Sequence, residues 1–403
     1  MKDIFTPTNI LIPEGTPFDA WSVIACDQFS SEHEYWERVR DNVGGRPSTL
    51  KMIIPEAHLE EINEETAIGN ISATMNEYLD YGLFNESKDS FVYVERTLHD
   101  GRTRLGIVGA VDLEEYDFTG ATAAIRASEG TVLDRLPPRI RIRRAAPLEL
   151  PHIITFIDDK EGTVVEPLSK VKSNLPKLYD FELMECGGYI KGWKVTGPDA
   201  ENIKAAIKAL HEKNEMLMII GDGNHSLAAA KVYWDELKQH LSEAERETHP
   251  ARRALVELNN VYDPAIDFEA IHRVLFNIDS KAFIEAFEKE APKGTDYTIR
   301  WVSNEGSGNI GIKADCIGDM LTVMQEFIDK YIKDTKSIVD YIHGEESTIT
   351  LGKGKNCVGL ILPAMDKSDL FETVEKSGVF PRKSFSVGHA QDKRYYLECR
   401  KIR

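Results

Sequence analysis

The densest chemistry in the sequence lies in LMIIGDGNHSLAAAKVYWDEL, from Leu217 to Leu237. Asp222, Asn224 and His225 stand between Gly221, Gly223 and the start of a helix. Ser226 follows, a residue type suited to capping that helix. The amides of a helix's first turn have no partner within the helix, and its dipole is positive at that end. A strand that runs through such a loop into a helix therefore attracts phosphate. Gly221 and Gly223 would let the backbone come close to a ligand. Asp222 can hold a magnesium ion or take a proton from a hydroxyl. His225 can donate to a phosphoryl oxygen or shuttle a proton. The same glycines and polar residues also make an ordinary turn, which needs no ligand.

A second group of charges lies upstream. DRLPPRIRIRRAAPLELPH holds Arg135, Arg139, Arg141, Arg143 and Arg144 within ten residues. Arg139, Arg141 and Arg143 alternate, so a strand here would put them on one face. A face of guanidinium groups suits a nucleotide or a phosphorylated substrate. The alternative is a solvated strand paired with carboxylates. Just before it, IRASEGTVLDR offers Arg126, Glu129 and Thr131. Glu129 among so many arginines would be held ionised, as a base or metal ligand must be.

Other stretches read as structure first. Ser31 and Glu34 have capping-box spacing. Asp27 and Gln28 are polar within a strand-like stretch and could line a pocket. Gly187, Gly188, Lys191 and Gly192 suggest a glycine-rich hairpin. Arg382 and Lys383 follow a helix end at Gly378.

The elements that must position these groups come from hydrophobic period. PHIITFIDD and SFVYVERTL are rich in β-branched and aromatic residues, as strands are. GPDAENIKAAIKALHEKN puts Ile203, Ala206, Ile207 and Leu210 on one helical face. MLMII is a continuous apolar run, as in a buried strand. After it, Leu227, Ala230, Trp234, Leu237 and Leu241 step by three and four, an amphipathic helix. LSEAERETHPARR is highly charged and reads as a boundary. Beyond it RALVELNNVYD and CVGLILP read as strands, DMLTVMQEFIDKYI and KSDLFETVEKSG as helices. The expected organisation is two mixed α/β domains, 1–245 and 246–403.

Composition limits the function classes. The 403 residues are 42% hydrophobic and 29% charged, which is globular composition. Lys and Arg number 49 against 67 Asp and Glu, a net charge of −18. That disfavours nucleic acid and anionic membrane surfaces as partners. MKDIFTPTNILIPEG lacks the basic-then-apolar pattern of a signal peptide, and no apolar run approaches the ~18 residues of a membrane span. Five cysteines without C-x-x-C spacing argue against a disulfide framework or a cysteine zinc site, and fit a reducing cytoplasm.

GDGNHSLAAAK resembles the D-G-H/N-H signature of the bacterial and archaeal domain of unknown function number one-thousand-fifteen. WSVIACDQFSSEHEYW, IRASEGTVLDRLPPR, APLELPHIITFIDD, YDFELMECGGYIKGW, IHRVLFNID and GVFPRKSF are similar to segments of the same family, and together span nearly the whole chain. The resemblance implies an α/β ParB/sulfiredoxin-like nucleotide-binding core, similar to free-serine kinases with a D-G-H-H-R loop, plus a second α/β domain. It centres the site on Asp222, Gly223, Asn224 and His225. Ser226 departs from the pattern, standing where the related kinases carry arginine, and Asn224 replaces the first histidine of their loop. The clamp on phosphate would then pass to the arginines of 135–144 or to His272 and Arg273. Sulfiredoxin chemistry needs a cysteine at this loop, and none is there. ParB-like partition is disfavoured by the acidic charge and the lack of a helix-turn-helix.

The expected function is a nucleotide-dependent phosphotransferase on a small hydroxylated metabolite, free serine or phosphoserine, in the kinase or the phosphatase direction. Asp222, His225 and Glu129 are the expected catalytic residues, with Asp222 also holding Mg2+. Gly221, Gly223, Asn224, Ser226, Arg135, Arg139 and Arg141 would bind ATP or ADP. Arg126, Arg144, His152, His272 and Arg273 would contact the substrate. The expected partners are these small molecules, with no nucleic acid and no membrane, and a homo-oligomer is compatible. The alternative is a regulatory protein that binds nucleotide or phosphate without turnover.

Overall fold

A computed structural model describes residues 3–59, 61–120, 122–333 and 335–403. The chain divides into two compact units. One holds residues 1–127, 131–266 and 389–403; the other holds 128–130 and 267–388. The mixed α/β class expected from the sequence is what forms.

The first unit is built on an eleven-stranded mixed sheet. Its central order is Phe84–Thr97, Thr103–Asp112, Arg253–Asn260, Ile154–Ile157, Met218–Asp222 and Ile125–Ala127. Most pairings are antiparallel, but Met218–Asp222 runs parallel to Ile125–Ala127, and Arg253–Asn260 parallel to Ile154–Ile157. Met218, Ile219 and Ile220 are fully buried. A strand paired on both sides and covered on both faces reads as an unbroken apolar run, which explains MLMII. The helix Asn224–Leu237 then packs Leu227, Ala230 and Trp234 into the same core as Ile220.

The boundary expected near residue 245 is not where the units part. Residues 243–248 form a short helix of the first unit, opened by a Ser242–Glu245 capping box. Arg253–Asn260 pairs with both Thr103–Asp112 and Ile154–Ile157, so it is interior to the first sheet. The final segment also belongs to this unit: Tyr395–Tyr396 pairs with Val23–Ile24, and Arg400–Lys401 with Leu148–Glu149.

Two local expectations need correction. The arginine stretch is a helix, Leu136–Ala145, not a strand. Pro137 and Pro138 occupy its first turn, where a missing N–H costs nothing and a fixed φ is already helical. Arg139 and Arg143, four residues apart on the helix, therefore share one face, while Arg141 and Arg144 lie off it. Ser31 does not cap a helix either; the nearest one runs His33–Val43 from Glu32, without a side-chain cap.

The second unit carries a six-stranded sheet. Phe268–Phe276 pairs with Ile338–His343, Cys357–Ile361 and Phe385–Val387. The helices Ile317–Ile332 and Lys367–Ser377 form as the apolar period predicts, the second ending at Gly378 with φ 79°. Among the described residues no helix is long and apolar enough to cross a membrane.

Candidate functional site

The strand Met218–Asp222 ends with Asp222 opposite Ile154. Gly223 then turns in the left-handed region, φ 82°, where a side chain would be strained. It caps the helix Asn224–Leu237 without any side-chain cap, so Ser226 is already inside the first turn. Ser226 N and Leu227 N donate to Gly223 O, and Gly223 N donates to Asp222 Oδ1 at 3.0 Å. Three of the five amides from 223 to 227 are thus used within the turn. A Cβ at Gly221 would lie 2.1 Å from the Phe156 ring. Close packing, not access to a ligand, accounts for that glycine.

Charge gathers around Asp222. Its Oδ2 lies 3.4 Å from Lys393 Nζ, and both side chains are largely buried. The pairing of Tyr395–Tyr396 with Val23–Ile24 brings Cys26 and Asp27 beside the C-terminal segment. Tyr396 Oη accepts from Cys26 N at 3.3 Å and meets His152 Nδ1 at 2.7 Å. His152 Nε2 faces Asp27 Oδ1 at 3.9 Å. Burial works against the Asp27 carboxylate, but His152, the Gln28 amide and Lys393 outweigh it and hold the carboxyl below its usual range. Burial drives the Tyr396 phenol up, so it stays protonated. Burial, reinforced by Asp27, pushes the Cys26 thiol up to about 12, which leaves no thiolate nucleophile here. An ionised carboxylate beside a histidine, a phenol and a lysine can accept a proton and then neutralise the charge left behind.

Of the two roles open to His225, its surroundings suit donation better than proton shuttling. Burial lowers its pKa to about 4, helped by Arg139 and Arg135 and opposed by Asp27. Its Nε2 accepts from Val132 N at 3.2 Å, which places the proton of the neutral ring on Nδ1. At neutral pH His225 is therefore a neutral donor through Nδ1. A consequence follows for stability. Below 6.5 the unfolded ring binds a proton that the folded ring refuses until about 4. Across that window the unfolded chain binds more protons, so stability falls as pH drops. His225→Gln is expected to lessen the loss of urea midpoint between pH 6.5 and about 4. An unchanged pH dependence in the variant would contradict the neutral, buried ring.

Most of the arginine run is spent on carboxylates. Arg139 pairs with Glu56, Arg141 with Glu64 and Arg144 with Glu236. Arg143 pairs with Glu149 at 2.8 Å, and Glu149 also takes Arg400. The exposed pairs of Arg141 and Arg144 contribute little to stability, but all four pairs leave fewer guanidinium groups for an anion. Among the described residues Arg135 has no ion-pair partner, and it offers its carbonyl to Arg139. Arg126 donates to Ala123 O at 3.0 Å from the strand beside Met218–Asp222. A cavity of about 440 Å³ is lined by Arg135, Arg139, Ser226, Cys26 and Tyr396, and by apolar residues that include Met52, Ile142 and Ile153. That volume lies in the range of small-molecule sites.

Three expected site residues belong to the second unit. His272 Nδ1 accepts from Leu362 N at 3.1 Å. Arg273 is fully buried, stacked over Tyr341 and bonded to Gln325 and to Lys383 O. Glu129 bridges Phe380 and attracts Arg273. The structure thus gives all three a place in the packing of that unit.

Sequence reasoning missed Lys393 and Tyr396 altogether and treated Asp27 as secondary. Both missed residues lie near the end of the chain, where nothing in their spacing connects them with position 27, 152 or 222.

A family model described as "Protein of unknown function (DUF1015)" matches residues 10–397. The chain belongs to this family. Membership agrees with the resemblance carried by GDGNHSLAAAK and the segments around it. No curated protein matches this DUF1015 chain. Among solved structures, it is similar to a free serine kinase in complex with AMP, at 13% identity and TM-score 0.38, over 73% of this chain and 90% of that one. A conserved hypothetical protein from Pyrococcus furiosus matches at 13% identity and TM-score 0.36, over 73% and 94%. SbnI from Staphylococcus aureus, truncated at its C-terminus, matches at 9% and 0.37, over 70% and 82%.

Proposed function

We propose that this protein is a cytoplasmic nucleotide-dependent phosphotransferase acting on a small hydroxylated metabolite, with free serine or phosphoserine as the substrate pair. The observation that carries the reading is the cluster of Asp222, Lys393, Asp27 and His152 beside a helix start, in the unit that also holds the cavity of about 440 Å³. Phosphoryl transfer asks a protein chiefly for positioning and charge neutralisation, and these residues supply both.

ATP or ADP is the expected donor, with its base in the cavity and its phosphates over the first turn of Asn224–Leu237. Asp27 is the base for the serine hydroxyl: its carboxylate takes the proton as the oxygen forms its bond to phosphorus. The bond from that phosphorus to the bridging oxygen of the nucleotide breaks, and the shortened nucleotide leaves. Lys393 and Arg135 face the charge that develops, and His225 donates through Nδ1. Asp222 fits magnesium, because its Oδ2 is buried and, among the described residues, makes no hydrogen bond beyond the Lys393 ion pair. Magnesium, when bound, would neutralise phosphate oxygens.

Calorimetric titration with ADP, with and without magnesium, tests the binding step. Arg135→Ala is expected to weaken ADP about tenfold, the equivalent of one charged hydrogen bond. Absence of heat with any adenine nucleotide would end the reading. A nucleotide sensor without turnover is the second reading. It is favoured by Ser226, which cannot clamp phosphate with a charged fork, and by the pairing of Arg139, Arg141 and Arg144 with carboxylates.

A further inference from the structure

A second polar cluster of the first unit takes no part in the reaction above. His33 opens the helix His33–Val43, His58 closes the turn Glu56–His58, and Glu61 follows it. His58 Nδ1 lies 3.1 Å from Glu61 Oε2, and His33 Nδ1 lies 3.8 Å from Glu61 Oε1. One ligand atom from each of the three falls within 4.8 Å of the others. Two bonds of about 2.1 Å, the length zinc makes to imidazole or carboxylate, nearly span that distance end to end. His33 and Glu61 are half-exposed or more, so small side-chain rotations are enough to close the site.

We infer that His33, His58 and Glu61 form a binding site for a zinc-class divalent ion, with water in the fourth position. Two imidazoles and a carboxylate match the preference of such ions, and are a poor set for magnesium or calcium, which favour all-oxygen shells. The site has a structural consequence. Ile53, Ile54, Glu56, Leu59 and Ile62 line the cavity of about 440 Å³. An ion held by His58 and Glu61 on that segment and by His33 on the helix would fasten this wall of the cavity in place. The inference does not depend on what the Asp222 loop does.

Arg40 sharpens the test. Its Nη2 lies 3.1 Å from His58 Nε2. Arginine can only donate, so the proton of the neutral ring is on Nδ1, directed at Glu61. A metal on Nδ1 moves that proton to Nε2, where it would meet the Arg40 donors. Arg40 therefore competes with the ion.

The experiment is calorimetric titration of the metal-free full chain with zinc chloride, in a Cys186→Ser background so that the exposed thiol contributes nothing. The expected result is one site per chain. His58→Ala and Glu61→Gln should each weaken it by more than about 100-fold, beyond what outer partners of a metal contribute. Arg40→Ala should tighten it on the order of tenfold, an outcome that damage to the fold would not produce. Zinc should also slow amide exchange across residues 53–62 in the parent and not in His58→Ala. Zinc binding that His58→Ala and Glu61→Gln leave unchanged, or no binding by the parent chain, would overturn the inference. Asp222→Asn is expected to leave this site unaltered, which separates it from any metal at the loop.

Discussion

Asp222→Asn is expected to lower kcat for phosphoryl transfer by roughly 10²–10⁴-fold, the range associated with one positioned group in a transition state. The change is small in shape. Asparagine keeps an oxygen to accept from Gly223 N, so the turn into the helix survives. What it removes is the negative charge facing Lys393 and the hard oxygen suited to magnesium. Affinity for nucleotide without metal should therefore change little, while kcat falls. Steady-state kinetics beside calorimetry without metal reads the two effects separately. A variant with full kcat would show that Asp222 serves only the turn.

The largest expected effect on stability is at Arg394, next to Lys393. Its side chain is 2% exposed and lies between two carboxylates, Glu257 at 3.2 Å and Glu398 at 2.6 Å. Burial opposes ionisation of Glu257, but Arg394 and Arg104 overcome it and keep the carboxyl below its usual range. Glu398 also accepts from the buried Tyr179 hydroxyl. Arg394→Ala removes the cation shared by two buried carboxylates, leaving Glu398 with the Tyr179 hydroxyl and Glu257 with Arg104 at 3.6 Å and the Asn259 amide. Breaking a buried pair in this way costs about 3–5 kcal/mol. Urea denaturation followed by tryptophan fluorescence should show the loss as a lower midpoint. A decrease below about 1 kcal/mol, the scale of a surface pair, would mean that water reaches the network. Because Arg394 anchors the segment that carries Lys393 and Tyr396, activity should fall along with stability.

The parts of the fold that were legible are those in which one signal dominates. The apolar run at 216–220 and the three-and-four spacing after Leu227 announce a buried strand and its helix, and both form. The arginine stretch carried two signals that disagreed. Alternation of Arg139, Arg141 and Arg143 suggested a strand, while Pro137 and Pro138 marked a helix start, and the prolines decided the outcome. The boundary near 245 looked plausible because charge and a proline cluster there. Pairing of Arg253–Asn260 into the first sheet is non-local and leaves no such mark. The site follows the same division. Asp222 and His225 are visible as a local motif. Lys393 and Tyr396 reach it through pairings of the C-terminal segment with distant parts of the chain, such as Tyr395–Tyr396 with Val23–Ile24. The low pKa of His225 is likewise a product of burial and of arginines nearly ninety positions upstream.

The most direct test of the central claim is phosphorus NMR of the purified chain with serine, ATP and magnesium, and separately with phosphoserine, ADP and magnesium. The account predicts a phosphoserine resonance growing in the first mixture or a phosphoserine resonance decaying in the second, with Asp27→Asn slowing either by at least ~10²-fold, the lower end for a positioned base. Folded protein that binds ADP yet leaves every phosphorus resonance unchanged in both mixtures would contradict it.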